Sequence, residues 1–124
     1  MTHTFTIVSL LQIVLAFGLV NVWIVRFDKP TVYRGKGAGN MKEEFAAYGL
    51  PVWFMYLVGA AKLVIAGLLV VGLWIPIVVM PAVLVLGVLM LGAIAMHLKV
   101  RDSFKRTLPA IVMLAMVVVV LLGV

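Results

Sequence analysis

The sequence predicts an all-α integral membrane protein, an antiparallel bundle of four transmembrane helices with both termini outside. Three observations carry that prediction. Of 124 residues, 66% are hydrophobic and 11% charged, against about 45–50% and about 25% in soluble domains. Mean hydropathy is +1.31, more apolar surface than one small water-soluble core can enclose. The apolar residues also fall into four long runs, and the basic residues cluster in two of the segments between them.

The first run, Phe5–Val25, has 21 residues without a charge. About 20 helical residues cross a ~30 Å hydrocarbon layer, and Arg26-Phe27-Asp28-Lys29-Pro30 ends the run. Met1-Thr2-His3-Thr4 before it carries no Lys or Arg, and no Ala-x-Ala site follows. It is therefore expected to be a retained helix, not a cleaved leader. Loop 26–49 comes next. Its segment Tyr33-Arg34-Gly35-Lys36-Gly37-Ala38-Gly39 fits neither phosphate-binding glycine pattern, and reads as a flexible linker. Asn40 with Glu43 three residues on resembles a capping box. It would start a short interfacial helix over about 41–48, with Met41, Phe45 and Tyr48 on one face and Lys42, Glu43 and Glu44 in water.

The second span, 50–75, carries one charge, Lys62, and Pro76 breaks it. The third, 77–97, has Pro81 in its first turns. The fourth, 108–124, follows Thr107 as N-cap with Pro109 near the helix start. At 17 residues it would thin the bilayer locally or begin slightly earlier.

Nine of the ten basic residues lie in 26–49 and 98–107. By the positive-inside rule both loops are expected in the cytoplasm, in a multi-pass protein of the cell (inner) membrane. The formal charge of +6 is then a topology signal, and nucleic acid is not an expected partner. With no cysteine, disulfides, zinc–thiolate sites, iron–sulfur clusters and thiol redox chemistry are excluded. The methionines read as packing and His97 lacks a second ligand at its depth, so no metal site is expected.

The polar residues inside the spans are the candidate site. Counted from Leu50, Lys62 lies about 18 Å into the membrane, beyond snorkelling range. An unpaired charge there costs at least ~2.5–3.5 kcal/mol, and no Asp or Glu falls in any span. The amine is expected either to tie helices together or to point into a pocket that takes a carbonyl or anionic ligand. Counted from Val25, Gln12 reaches the same depth, with Ser9 on its face, so Gln12 Oε1 is the expected acceptor. Nearer the cytoplasm, Asn21 and His97 are expected to pair, with His97 also meeting Asp102. A structural role for His97 at its helix C-terminus is the alternative. The ligand-binding candidates are thus Lys62, Gln12, Ser9, His97 and Asn21, and no catalytic residue is proposed.

Tyr48-Gly49-Leu50-Pro51-Val52-Trp53, Val58-Gly59-Ala60-Ala61-Lys62-Leu63 and Leu68 to Pro76 resemble the second helix of the DoxX-like family. Met90 to Asp102, then Leu108-Pro109-Ala110, resemble its third helix, loop and fourth helix. The resemblance covers about 75 residues plus a compatible first helix. It implies a compact four-helix membrane bundle. Members are tied to quinone-linked sulfur oxidation, membrane redox complexes and receptor assembly. Many carry an acid where this chain has Lys62, so that acid's role does not transfer.

Two functions compete. One is a non-catalytic accessory that binds a lipid-like molecule or a partner membrane protein, with a homodimer compatible with its apolar faces. The other is a quinone-interacting subunit of a membrane oxidoreductase, with Lys62 and Gln12 on a quinone carbonyl. No nucleophile–base set is visible, so the chain is not expected to be an enzyme on its own. A small exporter would need an intramembrane carboxylate, and a vitamin-K-reductase-like enzyme would need cysteines.

Overall fold

A computed structural model describes residues 7–28 and 37–123. Residues 5–6 of the first expected span, most of the glycine-rich linker (33–36) and Val124 lie outside the described residues. The described chain is helical, without strands. Helix α1 (Ile7–Val20) runs on through a π-helical turn, Asn21–Val25, and α2 is Met41–Ala47. Helix α3 is Val52–Val71, a 3-10 turn Pro76–Val78 leads into α4 (Val79–Lys99), and α5 is Phe104–Gly123. Four helices are long and apolar enough to cross a membrane: Ile7–Val25, Val52–Val71, Pro76–Lys99 and Phe104–Gly123.

Sustained contacts join α1 to α3, α3 to α4, α4 to α5 and α5 back to α1. Leu15, Leu19, Ile65, Leu69, Val83, Leu86, Met90, Val117 and Val120 fill the centre of that ring. Outward positions are just as apolar, with Phe17, Val64, Val88 and Leu122 all exposed, the pattern of helices that face lipid instead of water. Trp53 and Trp74 are exposed at the two ends of α3, on the order of 30 Å apart along a helix axis. That spacing suits two aromatic belts.

Helix boundaries move where local hydrogen bonding decides them. The fourth span starts at Phe104, because the Ser103 carbonyl accepts from the backbone N–H of Arg106 (3.1 Å) and Thr107 (3.3 Å). Thr107 is therefore inside the first turn, its hydroxyl donating to Ser103 O at 3.2 Å, and is not the N-cap. Pro109 lies within the helix, and the 20-residue span needs no local thinning. Pro81 is in the first turn of α4, where its missing N–H costs nothing.

The α2 helix is built at both ends. Asn40 Oδ1 accepts from Glu43 N at 2.9 Å, and Glu43 Oε1 accepts from Gly39 N at 3.1 Å. At the other end Leu50 N donates to Phe45 O (2.9 Å) and Gly49 N to Ala46 O (3.0 Å). This is a Schellman motif with Gly49 left-handed at φ +79°. Met41, Phe45 and Tyr48 are buried. Their face packs on Trp23 and Met55, so the bundle, in place of the membrane interface, receives it.

Candidate functional site

The polar side chains gather at the end of the bundle that carries residues 37–49 and 100–103. Trp23 is the centrepiece. It continues the Leu15–Leu19 stripe, and its ring is 7% exposed. The Cε3–Cζ3 edge of the ring rests on α3 because residue 59 is glycine: a Cβ there would stand 2.6 Å from Cε3 and 2.7 Å from Cζ3. Lys62, one turn further along α3, is half-buried, with Nζ 5.3 Å from the Trp23 ring centroid, within cation–π range. Side chains on a helix lean toward its N-terminus, so the amine reaches toward α2.

Gln12 is elsewhere. Its Nε2 donates to Leu69 O at 3.1 Å, in a buried bond. Leu73 N turns to Val70 O (3.1 Å), so the Leu69 carbonyl at the end of α3 takes Gln12 in place of the next turn. Leu69 is two helical turns from Lys62, about 10 Å. The expected Gln12–Lys62 pair does not form, and Ser9, one turn from Gln12, stays at Gln12's end of the bundle. The depth count failed because it set Val25 level with Leu50. In fact Trp23 is level with Gly59.

Asn21 is exposed. Its carbonyl accepts from Arg26 N at 2.8 Å across the π turn, and it does not meet His97. The partner at His97 Nε2 is the Tyr48 hydroxyl, at 3.4 Å. On the other side Nδ1 is 2.8 Å from Asp102 Oδ2, and Asp102 Oδ1 accepts from Arg106 Nη1 at 3.2 Å. With the ring proton on Nδ1, the carboxylate accepts from Nδ1–H and Nε2 accepts the hydrogen bond that the Tyr48 hydroxyl donates. Lys99 Nζ donates to Tyr48 O at 2.9 Å, holding the end of α2. Ring contacts link the two groups: Trp23 meets Phe45 edge-on at 5.9 Å, and Tyr48 meets His97 edge-on at 5.8 Å. Asp102 is aimed by a second Schellman turn, Asp102 N to His97 O (2.9 Å) and Arg101 N to Leu98 O (3.1 Å). Here Arg101 holds the left-handed position, φ 56°.

Between α1 and α3 runs an apolar groove of about 420 Å³, lined by Ile13, Ala16, Phe17, Val20 and Ile24 and by Leu63, Ala66, Gly67 and Val70. Its end at Ile24 and Leu63 adjoins Trp23 and Lys62 in sequence. A Cβ on Gly67 would meet nothing within 4 Å. Among the described residues no three His, Asp or Glu side chains converge as a metal site would require.

Sequence reasoning paired His97 with Asp102 and took Gly59 as a place of close helix approach, but missed Trp23 and the Tyr48–His97 contact. A signal for Trp23 was present, since it falls at i+4 from Leu19. A model of the DoxX-like family matches residues 10–120. The chain belongs to the DoxX-like family. Neither curated proteins nor solved structures gave a match. In this DoxX-like protein the matched range takes in α2, α3 and α4 whole and nearly all of α1 and α5.

Proposed function

We propose that this DoxX-like protein is a non-catalytic membrane accessory that holds a lipid-like amphiphile. The apolar chain occupies the α1–α3 groove and the polar head lies toward Lys62. The groove carries this reading. Its volume of about 420 Å³ falls within the range of ligand sites, its walls are aliphatic and aromatic, and Leu63 in its wall is the sequence neighbour of Lys62. An up-and-down order of the four spans is part of this reading, supported by Gln12 beside Leu69 with Trp23 beside Gly59, and by Gly123 beside Val8 with Gly18 beside Met113. The basic loops then share one end, which the positive-inside rule assigns to the cytoplasm, with the termini outside the cell membrane. A partner membrane protein or a second copy would use the outward faces that lipid otherwise covers.

Organic extraction of the purified protein, followed by mass spectrometry, tests the reading. An amphiphile retained stoichiometrically by the parent and lost from Gly67→Leu, which fills the groove, supports it. No retained amphiphile, or equal retention by the variant, overturns it. A quinone in the extract would favour the oxidoreductase-subunit reading. Lys62 would then serve one carbonyl without Gln12, which is committed to Leu69.

A further inference from the structure

The turn joining α4 to α5 keeps a costly residue at its tip. Arg101 holds the left-handed position of the Schellman turn at φ 56°, where glycine fits without strain. Nothing inside the bundle offsets that cost. Among the described residues Arg101 enters no hydrogen bond or ion pair, and it is exposed. Lys105 is alike, exposed and without a partner among the described residues. It also stands in the first turn of α5, which holds no acidic residue, at the positive end of the helix dipole. The acid between the two is withdrawn. Asp102, its side chain 2% exposed, gives one oxygen to His97 at 2.8 Å and the other to Arg106 at 3.2 Å. The outer surface of the turn therefore carries positive charge alone. Two apolar side chains flank it, Leu98 at 68% exposure and Phe104 at 70%. They lie at the ends of the two spans, Pro76–Lys99 and Phe104–Gly123, so the cations stand where hydrocarbon gives way to head groups.

We propose that the 98–105 turn is a docking site for anionic phospholipid. Arg101 and Lys105 take the head-group phosphate, while Leu98 and Phe104 lie against the acyl chains. Arginine suits a phosphate because its planar fork donates two parallel hydrogen bonds, and the strain at residue 101 is retained for that contact. A zwitterionic lipid brings an ammonium beside its phosphate and gains less from a surface that shows no acid. Basic segments beside a membrane attract anionic leaflets in general; here the turn itself, and not the charge of the whole loop end, makes the site. The inference is independent of the α1–α3 groove, which contains no residue of this turn.

The test uses the full chain in maltoside micelles. Palmitoyl-oleoyl phosphatidylglycerol or phosphatidylcholine is titrated in, and the rise in melting temperature gives an apparent affinity. The parent should prefer phosphatidylglycerol. Arg101→Gln, Arg101→Gly and Lys105→Gln should each weaken phosphatidylglycerol about fivefold, the usual worth of one basic side chain at an anionic surface, and leave phosphatidylcholine unchanged. Of the two substitutions at 101, only Arg101→Gly should raise the melting temperature in the absence of lipid, which separates charge from backbone. Lys42→Gln removes an exposed charge from α2 and should leave the preference intact, as should excess inorganic phosphate. Equal affinity of the parent for the two lipids overturns the proposal. So does a loss in Arg101→Gly that Arg101→Gln does not share, or a loss in Lys42→Gln as large as that in Lys105→Gln. Displacement of the lipid effect by inorganic phosphate would assign the turn to a free anion and overturn lipid docking.

Discussion

Gly59→Ala is the most direct test of how the site is assembled. A Cβ at 59 would stand 2.6 Å and 2.7 Å from two carbons of the Trp23 ring, whereas carbon atoms rest at about 3.5–4.0 Å. The ring must therefore retreat by about 1 Å. It has little room, with Phe27 at 6.1 Å, Phe45 at 5.9 Å and the Lys62 amine over its face. Overpacking of this kind costs about 1–3 kcal/mol, and replacing a helical glycine returns about 0.5–1 kcal/mol. The expected net loss is about 0.5–2 kcal/mol in reversible unfolding from detergent micelles. Gly92→Ala is the control: its Cβ meets nothing within 4 Å, so it should be neutral or stabilising by up to about 1 kcal/mol. Trp23→Leu is destabilising alone, but in its background Gly59→Ala should become harmless, giving a coupling of about 1–3 kcal/mol. Equal effects of the two glycine substitutions, with no coupling to Trp23, would refute the packing argument.

Gln12→Leu should lower unfolding stability by about 1–3 kcal/mol, because the Leu69 carbonyl loses its buried donor, and leave the extracted amphiphile unchanged. Loss of the amphiphile would return Gln12 to the binding site. Asp102→Ala strips the 2.8 Å His97 bond and the 3.2 Å Arg106 bond and should cost about 1.5–3 kcal/mol. Tyr48→Phe, which removes one 3.4 Å contact, should cost about 0.5 kcal/mol; the reverse ranking in thermal unfolding would count against the geometry. Arg101→Gly removes a left-handed side-chain conformation worth about 1–2 kcal/mol, so the variant should melt higher; a lower melting temperature would mean the arginine side chain contributes more than its strain.

The spans and α2 were legible because each depends on local pattern. Apolar runs of membrane length need no knowledge of neighbours, and Asn40 with Glu43 encodes its cap within four residues. The His97–Asp102 pair was legible for the same reason, since both lie in one turn. Pairings between helices were not. The match of Gln12 with Lys62 depended on the vertical offset of α1 against α3. Beside that offset α2 packs on Trp23 and Met55, a tertiary contact that residue counting from loop edges cannot see. A shift of two turns moved Gln12 to the end of α3 and brought Trp23 to Lys62. The same contact turned Glu44 from an expected solvated charge into a half-buried one.

Departures from regular geometry concentrate where the charges are. The π turn at Asn21–Val25 breaks helical register just where Trp23 must face Gly59, and π turns recur at functional positions. Arg101 accepts a left-handed backbone in the turn that carries Asp102 to His97. Gly59 gives up side-chain packing so that an indole can lie against α3. The opposite end is built otherwise. There Gln12 closes a carbonyl, Val79 packs on Gly72, and Val8 packs on Gly123, contacts that join helices without gathering ionisable groups. Backbone strain is retained where it positions something, and in this protein it positions an indole under a lysine and a carboxylate against a histidine. Both arrangements meet on α2, through Phe45 and Tyr48.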